Sequence, residues 1–337
     1  MYKKTKKTLI IAEAGVNHNG DVNLAMKMIS AAAEAGADII KFQTFSAKNL
    51  VTSKASLANY QKDRTSARNQ FELLKKLELS KEETLVLKRH CEAKEIEFLS
   101  TGFDFESLDF LHSIGMQRFK IPSGEITNLP YLRKISAFNL PVIISTGMAT
   151  LGEVEEAVEV LIANGVNRND ISILHCTTSY PAPLDEINLR SMITLGSAFD
   201  LEYGYSDHTE GIHIPIAAVA MGASIIEKHF TLDAAMDGPD QKASLEIADL
   251  FQMVNCIRDV DMAMGKSQKT VVPSEAGNRL IVRKSIVASS AITKGEIFTE
   301  QNITTKRPGY GLSPMFWDEV LGKEAKSNFE IDEEIWL

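Results

Sequence analysis

The chain is poor in several things at once. Among 337 residues there are three cysteines, ten prolines and two tryptophans, and positive charge is outnumbered, with 36 Lys and Arg against 45 Asp and Glu. Cys91, Cys176 and Cys256 form an odd, unpatterned set, which argues against a disulfide framework and for a reducing compartment. The net charge of -9 leaves no broad cationic face for phosphate backbones, so a nucleic-acid partner is not expected. The one basic run, Lys3, Lys4, Lys6 and Lys7, reads as a solvated terminus. No apolar run approaches the ~18 residues of a membrane span. The N-terminus enters a strand-like run without the apolar core of a secretory leader. A cytoplasmic protein with no membrane partner is the expectation.

What is present is alternation. Short apolar, β-branched runs at 9–14, 39–43, 97–100, 118–121, 142–145, 172–176, 201–204 and 224–230 are separated by helical patterns at 22–35, 81–94, 105–114, 129–138, 153–164, 189–196 and 212–221, with a last one at 244–264. Eight strand–helix units over about 250 residues match a (β/α)8 TIM barrel, with an open doubly wound sheet as the alternative. The long connection 46–79 is the exception to short loops and reads as a lid or substrate contact, with a short helix at 70–76. After Gly265 the pattern changes. Residues 266–282 read as a polar linker, and 283–337 as a small β-rich module with turns at Lys294-Gly295 and Pro308-Gly309. The expected division is thus a catalytic barrel over 1–265, the linker, and the small module.

In such a barrel the chemistry lies at the carboxyl ends of the strands. Two histidines, His208 and His229, fall near the ends of the seventh and eighth strands. Each alone has a bland reading, as a helix cap or a satisfied strand histidine; as a pair they suit a divalent metal with open positions. Lys41 and Lys120 lie in apolar strands, where a lysine needs an anionic partner. The two-residue strand period puts Lys41 with Gln43, and Glu227 with His229, on shared faces. Ser145-Thr146 reads equally well as a helix cap or as part of the site. Two lysines, hydroxyls and glycine-rich strand ends make an anion pocket suited to a phosphate and a carboxylate. Beside it, a metal would polarise a carbonyl; His and carboxylate ligands do not choose among Mn²⁺, Mg²⁺, Zn²⁺ and Co²⁺, and the lack of a thiolate disfavours structural zinc. Carbon–carbon bond formation between a small phosphorylated carboxylate and a carbonyl compound follows as the economical reading.

The motifs IIAEAGVNHNGD, IIKFQT, FLSTGFD, RFKIPSGEITNLP, VIISTGMAT, LHCTTSYPAP, GYSDHTEG and IEKHFTLD, followed by MDGPDQKASLE, resemble, in order, those of the sialic acid synthase family. These are phosphoenolpyruvate-dependent synthases of N-acetylneuraminate, legionaminate and pseudaminate. KRPGYGLSP resembles part of their C-terminal antifreeze-like (SAF) domain. The resemblance implies a TIM barrel followed by a SAF domain, and a domain-swapped homodimer in which one subunit's SAF domain closes the other's barrel. It implies condensation of phosphoenolpyruvate with an N-acetylated hexosamine in open-chain form, with release of phosphate.

Carried onto this chain, the resemblance implies His208 and His229 as ligands of Mn²⁺, with Mg²⁺ or Co²⁺ as substitutes. Lys41, Thr101, Lys120, Ser123, Ser145 and Ser206 would surround phosphoenolpyruvate, with Lys120 also a candidate catalytic group. Gln43, Tyr180, Glu227 and Asp240 would line the sugar side, and Arg307 would reach the N-acetyl group from the partner's SAF domain. Glu13 and Glu125 are candidates for proton transfer or for orienting water. N-acetylmannosamine is expected first as acceptor, and a 2,4-diacetamido-2,4,6-trideoxyhexose second. Many relatives have histidine where this chain has Gln241; a substrate contact there would tune sugar choice. A metal-dependent hydrolase or lyase acting on a phosphorylated sugar would leave the small module idle, and a plain sugar-binding protein would leave the lysines and histidines unexplained.

Overall fold

A computed structural model describes residues 7–52, 54–57 and 67–337. Lys3, Lys4 and Lys6 of the basic run, and residues 53 and 58–66 of the long connection, lie outside the described residues. The chain divides into two compact units, Met1–Gly265 and Lys266–Leu337.

The first unit is an eight-stranded parallel sheet of β1 (Leu9–Gly15), β2 (Ile39–Thr44), β3 (Glu97–Gly102), β4 (Phe119–Ile121), β5 (Val142–Ser145), β6 (Ile171–Cys176), β7 (Glu202–Asp207) and β8 (Ile225–His229). The hydrogen-bonded order is β3-β2-β1-β8-β7-β6-β5-β4. β3 and β4, the two ends of that order, lie against each other, so the sheet is a nearly closed barrel. Strands buried on both faces must be apolar nearly throughout, and Ile10, Ile11, Ile39, Ile40, Leu99, Ile144, Ile173 and Ile226 are buried accordingly. The seventh strand runs further than the 201–204 run suggests, through Tyr205, Ser206 and Asp207, and so delivers His208 to the rim.

Helices wrap the barrel: α1 (Val22–Glu34), α2 (Ala47–Leu50), α3 (Gln70–Leu77), α4 (Lys81–Ala93), α5 (Phe105–Ser113), α6 (Leu129–Ser136), α7 (Leu151–Ala163), α8 (Ser191–Phe199), α9 (His213–Ala220) and α10 (Ile247–Met264). Their starts are written in the sequence. Asp21 accepts from the Asn23 and Leu24 amides, and Ser80 with Glu83 and Thr150 with Glu153 form capping boxes that satisfy otherwise orphaned N–H groups. Among the described residues no helix is long and apolar enough to cross a membrane.

The second unit has its own small core of Ile286, Ala288, Ile292, Phe298, Ile303, Val320 and Phe329. It carries an antiparallel pair, β9 (Ser285–Ala288) with β10 (Ile303–Lys306), and a short helix α12 (Trp317–Val320) follows α11 (Pro273–Val282). The stretch read as a linker therefore contains a helix. Pro273 at its first position fixes φ, and Glu275 reaches back to the Val272 amide.

Candidate functional site

At the carboxyl ends of the strands lies a cavity of about 410 Å³. Glu13 (β1), Lys41 and Gln43 (β2), Thr101 (β3), Lys120 (β4), Ser145 (β5), Cys176 (β6), Ser206 (β7), Glu227 and His229 (β8) line it from the strands, and Ser123, Tyr180, His208 and Asp240 from the loops. One face of every strand thus feeds a single chamber.

Its floor is a buried set of alternating charges. Lys41 Nζ lies 2.7 Å from Glu13 Oε2 and 3.8 Å from Glu227 Oε1, and Lys120 Nζ lies 3.5 Å from the same Glu227 oxygen. Hydroxyls complete the lattice: Lys41 donates to Thr101 Oγ1 (3.3 Å), Lys120 to Ser145 Oγ (2.6 Å), and Ser206 to Glu227 Oε1 (3.2 Å). Burial disfavours every one of these charges, and the neighbours decide which survive. For Lys41, Glu13 and Glu227 outweigh burial and hold its pKa above the ordinary lysine value. Burial wins at Lys120 and lowers its pKa despite Glu227. Glu227, between two ammoniums, is held below the usual carboxylate range against the opposing effect of burial. Burial, with the Glu227 charge adding to it, pushes Glu13 up to about 7 against the pull of Lys41. The site therefore holds one firmly ionised carboxylate and one poised to carry a proton at neutral pH.

At the other side the His208 and His229 rings lie with centroids 5.4 Å apart, and Tyr180 covers His208 at 4.1 Å. His208 Nδ1 lies 2.7 Å from the Thr177 carbonyl, so that contact places the proton on Nδ1 and leaves Nε2 as a lone pair. Cys176, Thr177 and Asp207 together raise the His208 pKa against burial. His229 is driven well below the ordinary histidine value by burial and by the cations around it. Its Nδ1 is buried with no hydrogen-bond partner among the described residues. A tautomer fixed by a backbone carbonyl on His208 matches the way metal-ligating histidines are held, and the unpartnered nitrogen of His229 is free to take a ligand. Among the described residues no three His, Cys, Asp or Glu side chains converge into a protein-only metal cage. Any ion held by the pair would have to take most of its ligands from substrate or solvent. Asp240 nearby is raised to about 6, chiefly by burial.

The helix-cap readings of His208 and of Ser145-Thr146 do not hold. The helix after His208 has Ile212 at its N-cap, and the helix after β5 is capped by Thr150. Thr146 donates instead to the Leu174 carbonyl. Gly147 is needed because a Cβ there would meet Thr178 at 2.5 Å and Ser123 Oγ at 2.8 Å; its amide donates to Ser123, which sets that hydroxyl at the rim.

Other expectations come out differently. Glu125 sits on a 3-10 turn, Ser123–Glu125, with its carboxylate accepting from Asn128 at 2.6 Å, and it does not line the cavity. Gln241 does not line it either. Its amide is fully buried and points at the Asn17 carbonyl (3.5 Å) and Asn19 Oδ1 (3.3 Å), tying the loop after β8 to the loop after β1. Arg307 lies where expected, in the second unit, exposed just after β10. His18, in the loop after β1, is buried outside the cavity, its Nδ1 accepting from the Gly20 amide at 3.0 Å. Two features were missed. Cys176 Sγ lies 3.8 Å from His208 Nδ1, so a thiol does stand beside the imidazoles; the alternation of β6 could have placed it there. Val16, Leu73, Leu74, Leu77, Phe103 and Met148 give the chamber an apolar side, half of it from α3 in the long connection.

A TIM barrel whose mouth combines buried lysines with an imidazole pair defines a class of enzyme site, one for anionic substrates and an activated carbonyl. The comparisons make the family definite. Residues 28–269 match the NeuB family and 283–335 the SAF domain, and the chain belongs to the NeuB family, the sialic-acid-synthase-like group that its motifs resemble. It is 56% identical to the N,N'-diacetyllegionaminic acid synthase of Campylobacter jejuni, over 97% of this chain and 98% of that one. It is 45% identical to the protein of the same name from Legionella pneumophila, over 95% of this chain and 90% of that one. Among solved structures, the N-acetylneuraminic acid synthetase of Leptospira borgpetersenii in complex with citrate superposes with a TM-score of 0.73 at 36% identity, covering 81% of this chain and 90% of that one.

Proposed function

We propose that the protein condenses phosphoenolpyruvate with a 2,4-diacetamido-2,4,6-trideoxyhexose and one molecule of water to give an N,N'-diacetyllegionaminate-type nine-carbon acid and phosphate. The observation that carries the condensation is the presence in one cavity of Lys41 and Lys120 beside the His208–His229 pair. The acceptor rests on two supports. The relatives 56% and 45% identical bear the legionaminate name, which reverses the order expected from sequence, where N-acetylmannosamine came first. The apolar side made by Leu73, Leu74, Leu77 and Phe103 suits a sugar with a methyl group in place of a hydroxymethyl.

In this reading Lys41, Lys120, Thr101, Ser123, Ser145 and Ser206 bind the carboxylate and phosphate of phosphoenolpyruvate. Gln43, Tyr180, Glu227 and Asp240 orient the open-chain sugar. His208 and His229 would hold a divalent ion, Mn²⁺ first, which when bound supplies Lewis-acid polarisation of the aldehyde. Glu13 holds a proton at its carboxyl near neutral pH and exchanges it with the reacting groups. The apolar wall excludes bulk water around the reacting carbon, while the condensation consumes a single water molecule. In a domain-swapped homodimer, Arg307 from the second copy of the chain would contact an acetamido group.

The test is an acceptor panel with Mn²⁺ and phosphoenolpyruvate, scored by phosphate release. The diacetamido-trideoxyhexose should exceed N-acetylmannosamine in kcat/KM by about tenfold or more, the scale set by one or two apolar contacts. The opposite ranking would refute the acceptor, and phosphate release without any acceptor would refute the condensation.

A further inference from the structure

On β7 and β8 the residues that line the cavity alternate with residues that do not. Ser206 and His208 line it, and Asp207 lies between them; Glu227 and His229 line it, and Lys228 lies between them. The strand period sends Asp207 and Lys228 to the outer side of the sheet, toward the layer where α9 packs on both strands. Both are completely inaccessible to solvent. They are also register partners: Ser206 pairs with Glu227 and Asp207 with Lys228 across the two strands.

A fully buried ion pair under a helix layer calls for an explanation, because an apolar pair of the same size would be about as stable or more so. Its connections supply one. Lys228 Nζ donates to Asp207 Oδ2 at 2.6 Å and also to the Thr209 carbonyl. The other Asp207 oxygen accepts the Thr209 amide at 2.9 Å. His208 is thus bracketed by two residues, Asp207 and Thr209, that are both tied to one ammonium. That ammonium belongs to the residue between Glu227 and His229. Strand ends are otherwise free to splay once the ladder stops, and β7 ends at Asp207.

We propose that Lys228 and Asp207 are positioning residues, a clamp on the back of the sheet that fixes the separation and orientation of the His208 and His229 imidazoles. The proposal rests on the reading of that pair as the holder of a divalent ion. The clamp touches neither substrate nor ion. It acts on the geometry of the pair and leaves the Lys41 and Lys120 end of the cavity alone.

The experiment is Mn²⁺ titration of metal-stripped protein by calorimetry, alongside steady-state kinetics, on wild type, Asp207→Leu/Lys228→Met, Asp207→Asn/Lys228→Gln and His208→Ala. The apolar double replacement leaves no buried charge unpaired, and the fold should survive by circular dichroism. Its Mn²⁺ affinity should fall by about 10- to 100-fold, the usual effect of losing an outer-shell partner. kcat should fall with it, while KM for phosphoenolpyruvate stays within about twofold of wild type. Asp207→Asn/Lys228→Gln keeps an acceptor for the Thr209 amide and likewise leaves no buried charge unpaired, and it decides the matter if the apolar double variant does not fold: a loss of at least about threefold in affinity is expected. A folded variant with wild-type Mn²⁺ affinity and kcat overturns the clamp, while His208→Ala still loses the metal. Wild-type affinity in His208→Ala overturns the metal reading itself, and the clamp with it.

Discussion

His18 offers a test that isolates one titrating group. Its ring is fully buried, its Nδ1 accepts the Gly20 amide, and its Nε2 has no partner among the described residues. Burial lowers its pKa from about 6.5 to about 4. The folded protein therefore refuses a proton that the unfolded chain accepts between those values. The stability His18 contributes is complete above pH 6.5 and is lost as pH falls toward 4. At about 1.4 kcal/mol per pH unit, the loss is about 3 kcal/mol. His18→Asn keeps an acceptor for Gly20 and never charges. It should be destabilised at pH 7.5 by about 1–2 kcal/mol for the missing ring atoms, and should overtake wild type below about pH 5. Urea unfolding at several pH values should follow far-UV circular dichroism, since both tryptophans, Trp317 and Trp336, lie in the second unit and would report on that alone. Every other ionisable group is common to the two proteins, so only the difference between their curves matters. Parallel curves from pH 7.5 to 4.5 would refute the reasoning.

Glu13→Gln removes the carboxyl raised to about 7 and should lower kcat by about 100-fold or more while flattening the pH–rate profile near neutrality; a profile with the same inflection would assign it elsewhere. Leu74→Asn should raise KM for the trideoxy acceptor about tenfold and leave KM for phosphoenolpyruvate unchanged, read from initial rates. Gln241→His should leave the ratio of kcat/KM values for the two acceptors within about twofold and cost about 1 kcal/mol of stability, because that side chain bonds the loop after β1. Arg307→Ala should fold and bind Mn²⁺ without turnover, and subunit exchange with His208→Ala should restore activity in heterodimers; inactive heterodimers would remove the shared site.

What could be read from the sequence was what depends on local periodicity. Lys41 and Gln43 share a face, as do Glu227 and His229, because side chains in a strand alternate whatever surrounds them. Eight such strands closed into a barrel bring those faces together. Residues beyond the strand ends were less legible. Glu125 follows Pro122 into a 3-10 turn that aims it at Asn128, and Gln241 is turned inward against Asn17 and Asn19. The apolar side contributed by α3 depends on how the long connection docks, which no periodicity records. The helix Pro273–Val282 escaped notice because Val272 stands where Ser, Thr, Asp or Asn would announce a start.

The floor of the cavity carries two ammoniums and two carboxylates, and a phosphorylated carboxylate can take the lysines only by replacing the glutamates as their partners. The two glutamates differ in how they can give way. Glu227 touches both lysines and Ser206 and is held ionised, whereas Glu13, with its pKa at about 7, takes up a proton near neutral pH at almost no cost in free energy. Arrival of an anion at Lys41 removes the interaction that keeps Glu13 ionised, which raises its proton affinity further. Anion binding and proton uptake are therefore linked. The proton is loaded onto Glu13, whose backbone pairs with that of His229, beside the imidazoles where a carbonyl would be polarised. Under the proposed condensation, that linkage would give a purpose to a carboxylate buried where it is poorly solvated, with Glu13 as the candidate acid.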